Sequence, residues 1–92
     1  MKYKIYAIFD TATESYMSPF FVKTEAEALR GFRDAASNQE TPIGKHPADY
    51  HLFSLGEYTD HNGDLRAQTP ECIISALEAS SAARQDRDQP KD

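Results

Sequence analysis

The stretch Met17-Ser18-Pro19-Phe20-Phe21-Val22-Lys23-Thr24-Glu25-Ala26-Glu27-Ala28-Leu29-Arg30-Gly31-Phe32-Arg33-Asp34-Ala35-Ala36 reads as a strand that turns at once into a helix. Phe20, Phe21 and Val22 are the aromatic and β-branched residues that suit a pleated, half-buried strand. Thr24 followed three residues on by Glu27 is the Thr-x-x-Glu pattern of a capping box, which satisfies orphan backbone donors at a helix start. Leu29, Phe32 and Ala36 recur at helical spacing, so one stripe of the helix can lie on a sheet. Gly31 sits mid-helix at a cost of about 1 kcal/mol against alanine, and a close approach to a neighbouring element is the reason expected for it.

Working outward, Lys2 to Asp10 has strand alternation. Its odd positions Tyr3, Ile5, Ala7 and Phe9 are the purer apolar set and are assigned to the core. The even positions Lys2, Lys4, Tyr6 and Ile8 are then left outside. Met17 to Lys23 returns as the second strand of a hairpin, and Pro19 marks it as an edge strand or a bulge. Beyond the helix, expected to end near Ser37, residues 38–47 read as a polar loop. Tyr50 to Thr59 is a third long strand, and Asn62-Gly63 a strong hairpin turn. A short fourth strand is expected at Leu65 to Gln68. A second helix is expected to start at Thr69-Pro70-Glu71 and to carry Ile73, Ile74 and Leu77. The expected architecture is an α+β domain over residues 1–83. It has a four-stranded antiparallel sheet in ββαββα order, one helix on a face and a short C-terminal helix. Residues 84–92 hold nothing apolar to bury and are expected to form a disordered polar tail.

Ninety-two residues make one domain with a thin core, which self-association into a homodimer would supplement. No apolar run is long enough to span a membrane, and the start of the chain is too short in apolar residues for a signal peptide. Cys72 is the lone cysteine, expected to be a small buried hydrophobe, and no internal disulfide follows. The net charge of −5 argues against strong non-specific hold on nucleic acid. Any such site must be a local patch on an acidic body.

Taken together, Lys-Ile-Tyr-Ala-Ile-Phe-Asp (4–10), Ser-Pro-Phe-Phe-Val-Lys-Thr-Glu-Ala-Glu-Ala-Leu-Arg-Gly-Phe (18–32) and Pro-Ala-Asp-Tyr-His-Leu-Phe-Ser-Leu-Gly-Glu-Tyr-Thr-Asp (47–60) resemble the small nonstructural protein of the gokushoviruses. These are single-stranded DNA microviruses of bacteria. The resemblance covers roughly residues 3–79. It implies a DNA-binding or replication-associated protein of the host bacterial cytoplasm that is not part of the virion. By analogy of genome position, it implies a part in the switch to single-strand synthesis and packaging. It supplies no catalytic or binding residues.

The residues themselves offer one candidate surface. If the even face of the first strand lies outside, Lys2, Lys4 and Tyr6 join Phe21 and Lys23 there. Bases stack on rings and ammonium groups meet phosphates, which is what single-stranded DNA requires. A subunit interface with lysines at its rim, or plain solvated surface, accounts for the same residues. Arg30 and Arg33 lie three apart on the helix and could extend a phosphate-contacting surface, or simply solvate it. The competing function is an adaptor that binds the phage replication initiator or a host replication factor without touching DNA. Asp60, Asn62, Asp64 and Glu71 miss the spacing of a calcium loop and fit a hairpin turn. His46, His51 and His61 lack ligand spacing, Cys72 lacks a visible base, and the four glycines are isolated. No enzyme, cofactor or metal is expected.

Overall fold

The computed structural model describes residues 1–81 of the chain. Its strands and helices are β1 (Lys2–Asp10), β2 (Ser15–Tyr16), β3 (Phe20–Val22), α1 (Glu25–Ser37), α2 (Pro42–Lys45), β4 (Tyr50–Thr59) and β5 (Asp64–Ser75). A single 3₁₀ turn, Pro47–Asp49, leads into β4. The chain is helical again from residue 76 to the last described residue, 81, here α3. The tail expected at residues 84–92 lies outside the described residues.

All pairings in the sheet are antiparallel. β1 is central, with β4 on one side and β2 and β3 in succession along the other; β5 pairs β4 on its outer edge. The expected returning strand is thus two short pieces, broken at Met17-Ser18-Pro19 where proline removes a ladder donor. Helix α1 starts where its capping residue dictates. Thr24 is extended, and its Oγ1 accepts a hydrogen bond from the Glu27 backbone N–H at 3.3 Å. The segment read as loop contains α2, opened by Thr41 Oγ1 accepting from Gly44 N–H at 3.0 Å with Pro42 in the first turn.

The sequence reading of the C-terminal third needs correction. Thr69-Pro70-Glu71 starts no helix; β5 runs through it to Ser75, so Ile73 and Ile74 belong to a strand. An outer edge strand tolerates Pro70 because its free side needs no donor there. The register from Ser54↔Glu71 to Gly56↔Ala67 skips residues of β5, which relieves the ladder around the proline. The helix begins one turn later, after Ser75. Ser75 Oγ accepts from Glu78 N–H at 3.1 Å while the Glu78 carboxylate accepts from the Ser75 hydroxyl at 3.0 Å.

The core lies on the face opposite to the one assigned from composition. Tyr6 and Leu52 are fully buried and pack with Ala28, Phe32, Ala36, Ile43, Ala76 and Ala79. Ile8, Phe20 and Val22 join them from the same side. The even positions of β1 therefore face α1, and the odd positions face away. Gly31 is also corrected: a Cβ there would meet nothing within 4 Å, so no close approach requires it.

The turn at Asp60–Gly63 is the hairpin expected. Gly63 has φ +72°, its N–H bonds to the Thr59 carbonyl at 2.9 Å, and Asn62 Oδ1 accepts from Asp64 N–H at 3.0 Å. No helix among the described residues is long and apolar enough to cross a membrane.

Candidate nucleic-acid interface

The face of the sheet turned away from α1 carries a field of rings. Cross-strand pairing puts Tyr3 beside Tyr58, Ile5 beside Phe21 and Gly56, Ala7 beside Phe53, and Phe9 beside Tyr16. Paired residues of an antiparallel sheet project to one side, so these form one surface. The rings gather in two groups. At one end Tyr3 and Tyr58 are 6.3 Å apart, and Phe21 stands nearly perpendicular to Tyr58 at 5.6 Å. At the other, Phe9, Tyr16 and Phe53 contact one another at 4.7 to 5.8 Å. Ile5 and Ala7 lie between the groups and are buried. Phe21 remains 48% exposed and Tyr16 44%, so the rings are open to a flat partner. None of the described helices covers this face: the helical residues of the core cluster pack with Tyr6 and Leu52 on the other side.

The first group walls a hollow of about 360 Å³ lined by Tyr3, Phe21, Tyr58, Leu65 and Asp60. Strand ends build it: the start of β1, β3, the end of β4 and the start of β5. Asp60 is fixed at its border. Its backbone N–H donates to the Met1 carbonyl at 3.1 Å, and its Oδ1 pairs with the Met1 ammonium at 2.7 Å.

The residues singled out from the sequence do not share one surface. Phe21 is on the open face as read. Tyr6 is 1% exposed beneath α1, where its hydroxyl donates to Glu25 Oε1 at 3.3 Å. Burial, reinforced by the Glu25 charge, pushes its phenol up to about 12, and no base can stack on it. Lys2 and Lys4 follow the alternation of β1 to the Tyr6 side and are exposed. Lys4 lines a polar recess of about 150 Å³ together with Glu25, Glu57 and Glu71, which compensate its charge. Lys23 is exposed one residue beyond the Lys4↔Val22 pair, at the end of the sheet that holds Tyr3 and Phe21. Arg30 and Arg33 belong to α1, across the sheet from Phe21. The Arg33 Nε is buried and finds no hydrogen-bond partner among the described residues.

Sequence reasoning missed Tyr3, Tyr58, Phe9, Phe53 and Tyr16 as surface rings. The signal was there: the odd positions of β1 are as aromatic as a core strand, and Phe53 and Tyr58 flank the glycine that reverses the β4 pattern. Cys72 pairs opposite Phe53 and is exposed, not buried as expected; partial desolvation, then Glu78, raise its thiol above the usual range. Among the described residues no three His, Cys, Asp or Glu side chains converge as a metal site.

No curated protein and no solved structure matches this chain. A family profile does, over residues 3–79, which takes in every strand but one residue of β1, α1 and α2, α3 as far as residue 79, and the whole ring-bearing face. The chain belongs to the family described as Phage ORF5 protein.

Proposed function

We propose that this phage protein is a non-enzymatic, nonstructural protein of the gokushovirus type that acts in single-stranded DNA replication by holding single-stranded DNA on its open sheet face. The observation that carries the reading is the uncovered antiparallel sheet with six aromatic rings on it. Such rings are a stacking platform, and each stacked base contributes about 1–3 kcal/mol. Lys23, two residues past Phe21, is exposed, makes no ion pair among the described residues and supplies a phosphate contact at the hollow end, whereas Lys2 lies on the Tyr6 side and does not share that surface. The hold is weak and its salt dependence shallow, because so few cations on a body of charge −5 release few counterions. A homodimer would multiply it by presenting two faces at once. The protein then acts in the host bacterial cytoplasm, outside the virion, in the switch to single-strand synthesis and packaging.

The test is fluorescence anisotropy of labelled single- and double-stranded DNA at two salt concentrations, with wild type, Phe21→Ala and Lys23→Glu. Single-strand binding that weakens with salt and in both variants supports the reading. Absence of binding at low salt sinks it. One observation favours the adaptor reading in that event: the paired positions of the open face carry no lysine or arginine. An uncharged apolar face suits a phage or host replication protein, and co-purification lost in Phe21→Ala would establish it.

A further inference from the structure

The hollow at the end of the open face differs from the rest of the ring field. Phe9, Tyr16 and Phe53 contact one another in all three pairs, whereas Tyr3, Phe21 and Tyr58 stand around a hollow of about 360 Å³. That size falls in the range of small-molecule pockets, about 300–1,000 Å³. Its walls are planar. Tyr3 and Tyr58 lie within 30° of parallel, and Phe21 closes one side at 82° to Tyr58. A flat ring can lie against the tyrosines and meet Phe21 at its edge, the two arrangements aromatic rings prefer. One charged side chain borders the hollow. Asp60 is 44% exposed, and among the described residues only its Oδ1 is engaged, by the Met1 ammonium. A carboxylate oxygen beside a stacked ring accepts from an exocyclic amino group and repels a carbonyl oxygen.

We infer that this hollow is a nucleobase subsite that prefers bases bearing an exocyclic amino group, above all cytosine over uracil or thymine, with Asp60 as the residue that discriminates. The inference rests on the proposal that the open face holds single-stranded DNA. Stacking alone tolerates every base; the carboxylate adds the selectivity, as an acidic side chain does when it accepts from the cytosine N4 amino group.

Oligo-dC and oligo-dU confine the difference to one edge of the base, where cytosine has an amino group at C4 and a bare N3 and uracil an oxo group at C4 and an N3–H. Labelled oligomers of each are titrated in anisotropy against wild type, Asp60→Asn, Phe21→Ala and Leu65→Trp, with circular dichroism as the check on folding. Wild type binds oligo-dC about three- to tenfold tighter than oligo-dU, the scale of one partly exposed hydrogen bond. Asp60→Asn, whose amide nitrogen is a donor, brings the two affinities together without abolishing either. Leu65→Trp fills the hollow from its border and weakens both oligomers, which keeps the test decisive if Phe21→Ala fails to fold. Equal affinity of wild type for the two oligomers overturns the inference while leaving the DNA reading intact. So does a preference that survives in Asp60→Asn. No binding of either oligomer at low salt overturns both, and displacement of bound oligomer by free arginine as effectively as by cytidine monophosphate assigns the hollow to cationic side chains instead.

Discussion

Two glycines test the packing with the same methyl group and opposite signs. Gly56 sits in β4 between Ile5 of β1 and Ala67 of β5, next to the extra residue Leu55 that shifts the register against Tyr6. Its φ is +150°, and a Cβ there would lie 2.1 Å from the Arg66 carbonyl oxygen and 3.0 Å from its carbonyl carbon. Those are backbone atoms of a paired strand and cannot swing aside. Gly56→Ala therefore adds strain in a region L-residues rarely adopt, about 1–3 kcal/mol. The clash adds about 1–3 kcal/mol more. A domain of this length is stable by roughly 5–14 kcal/mol in total, so a loss of about 2–6 kcal/mol lowers Tm by about 10 °C or more. Gly31 is the converse. It is exposed, lies within α1 and has nothing within 4 Å of its Cβ position. Gly31→Ala removes unfolded-state freedom and raises stability by about 0.5–1 kcal/mol, a few degrees in Tm. Urea unfolding followed by far-ultraviolet circular dichroism gives both values on one scale. A Gly56→Ala variant as stable as wild type, or a Gly31→Ala variant less stable, would refute the placement of these residues.

The buried Tyr6 phenol gives a pH signature. Its folded pKa is raised from 10.0 to about 12, so the stabilisation is fully present below pH 10 and is lost as pH rises from 10 through 12, where the unfolded state ionises first. Urea midpoints measured across that window should fall more steeply for wild type than for Tyr6→Phe, and parallel curves would contradict the burial of the hydroxyl. Ser75→Ala removes the cap of α3 and should cost about 1 kcal/mol, whereas Thr69→Ala, at the helix start expected from sequence, should cost a few tenths at most; urea titration of the pair decides between the two boundaries. Arg30→Ala and Arg33→Ala, across the sheet from the rings, should leave DNA anisotropy curves within about twofold of wild type, and a loss comparable to that in Lys23→Glu would move the interface onto α1.

Local chemistry was legible where one residue type has one strong reason to be where it is. Thr24 and Glu27 fixed the start of α1, and Asn62-Gly63 fixed the β4–β5 turn, because capping and left-handed turns use few residue types. The same kind of signal was present and overlooked twice. Thr41-Pro42 opens α2, and Ser75-Ala76-Leu77-Glu78 is a complete capping box. Pro70 outweighed it because proline suits a helix start and an outer edge strand equally well, and a sequence does not say which strand is outermost.

The assignment of faces failed for a physical reason that also explains the site. Period-two alternation separates core from surface only when the surface side is polar. Here both sides of β1 are apolar: Tyr6 and Ile8 under α1, Tyr3, Ile5, Ala7 and Phe9 away from it. Composition ranked the odd set as more apolar, and so sent the solvent-facing rings inward and the one fully buried tyrosine outward. A strand that is apolar on both sides in a sheet covered on one side is itself informative. The uncovered rings add nothing to the α1 core, and leaving them in water costs about 25 cal/mol per Å² of apolar surface. That cost is the reason we propose a binding role for this face. On that proposal its rings and the absence of lysine or arginine from its paired positions favour two kinds of occupant, stacked bases or another apolar surface. The two separate on salt: base stacking anchored by Lys23 weakens as salt rises, whereas apolar association holds or strengthens.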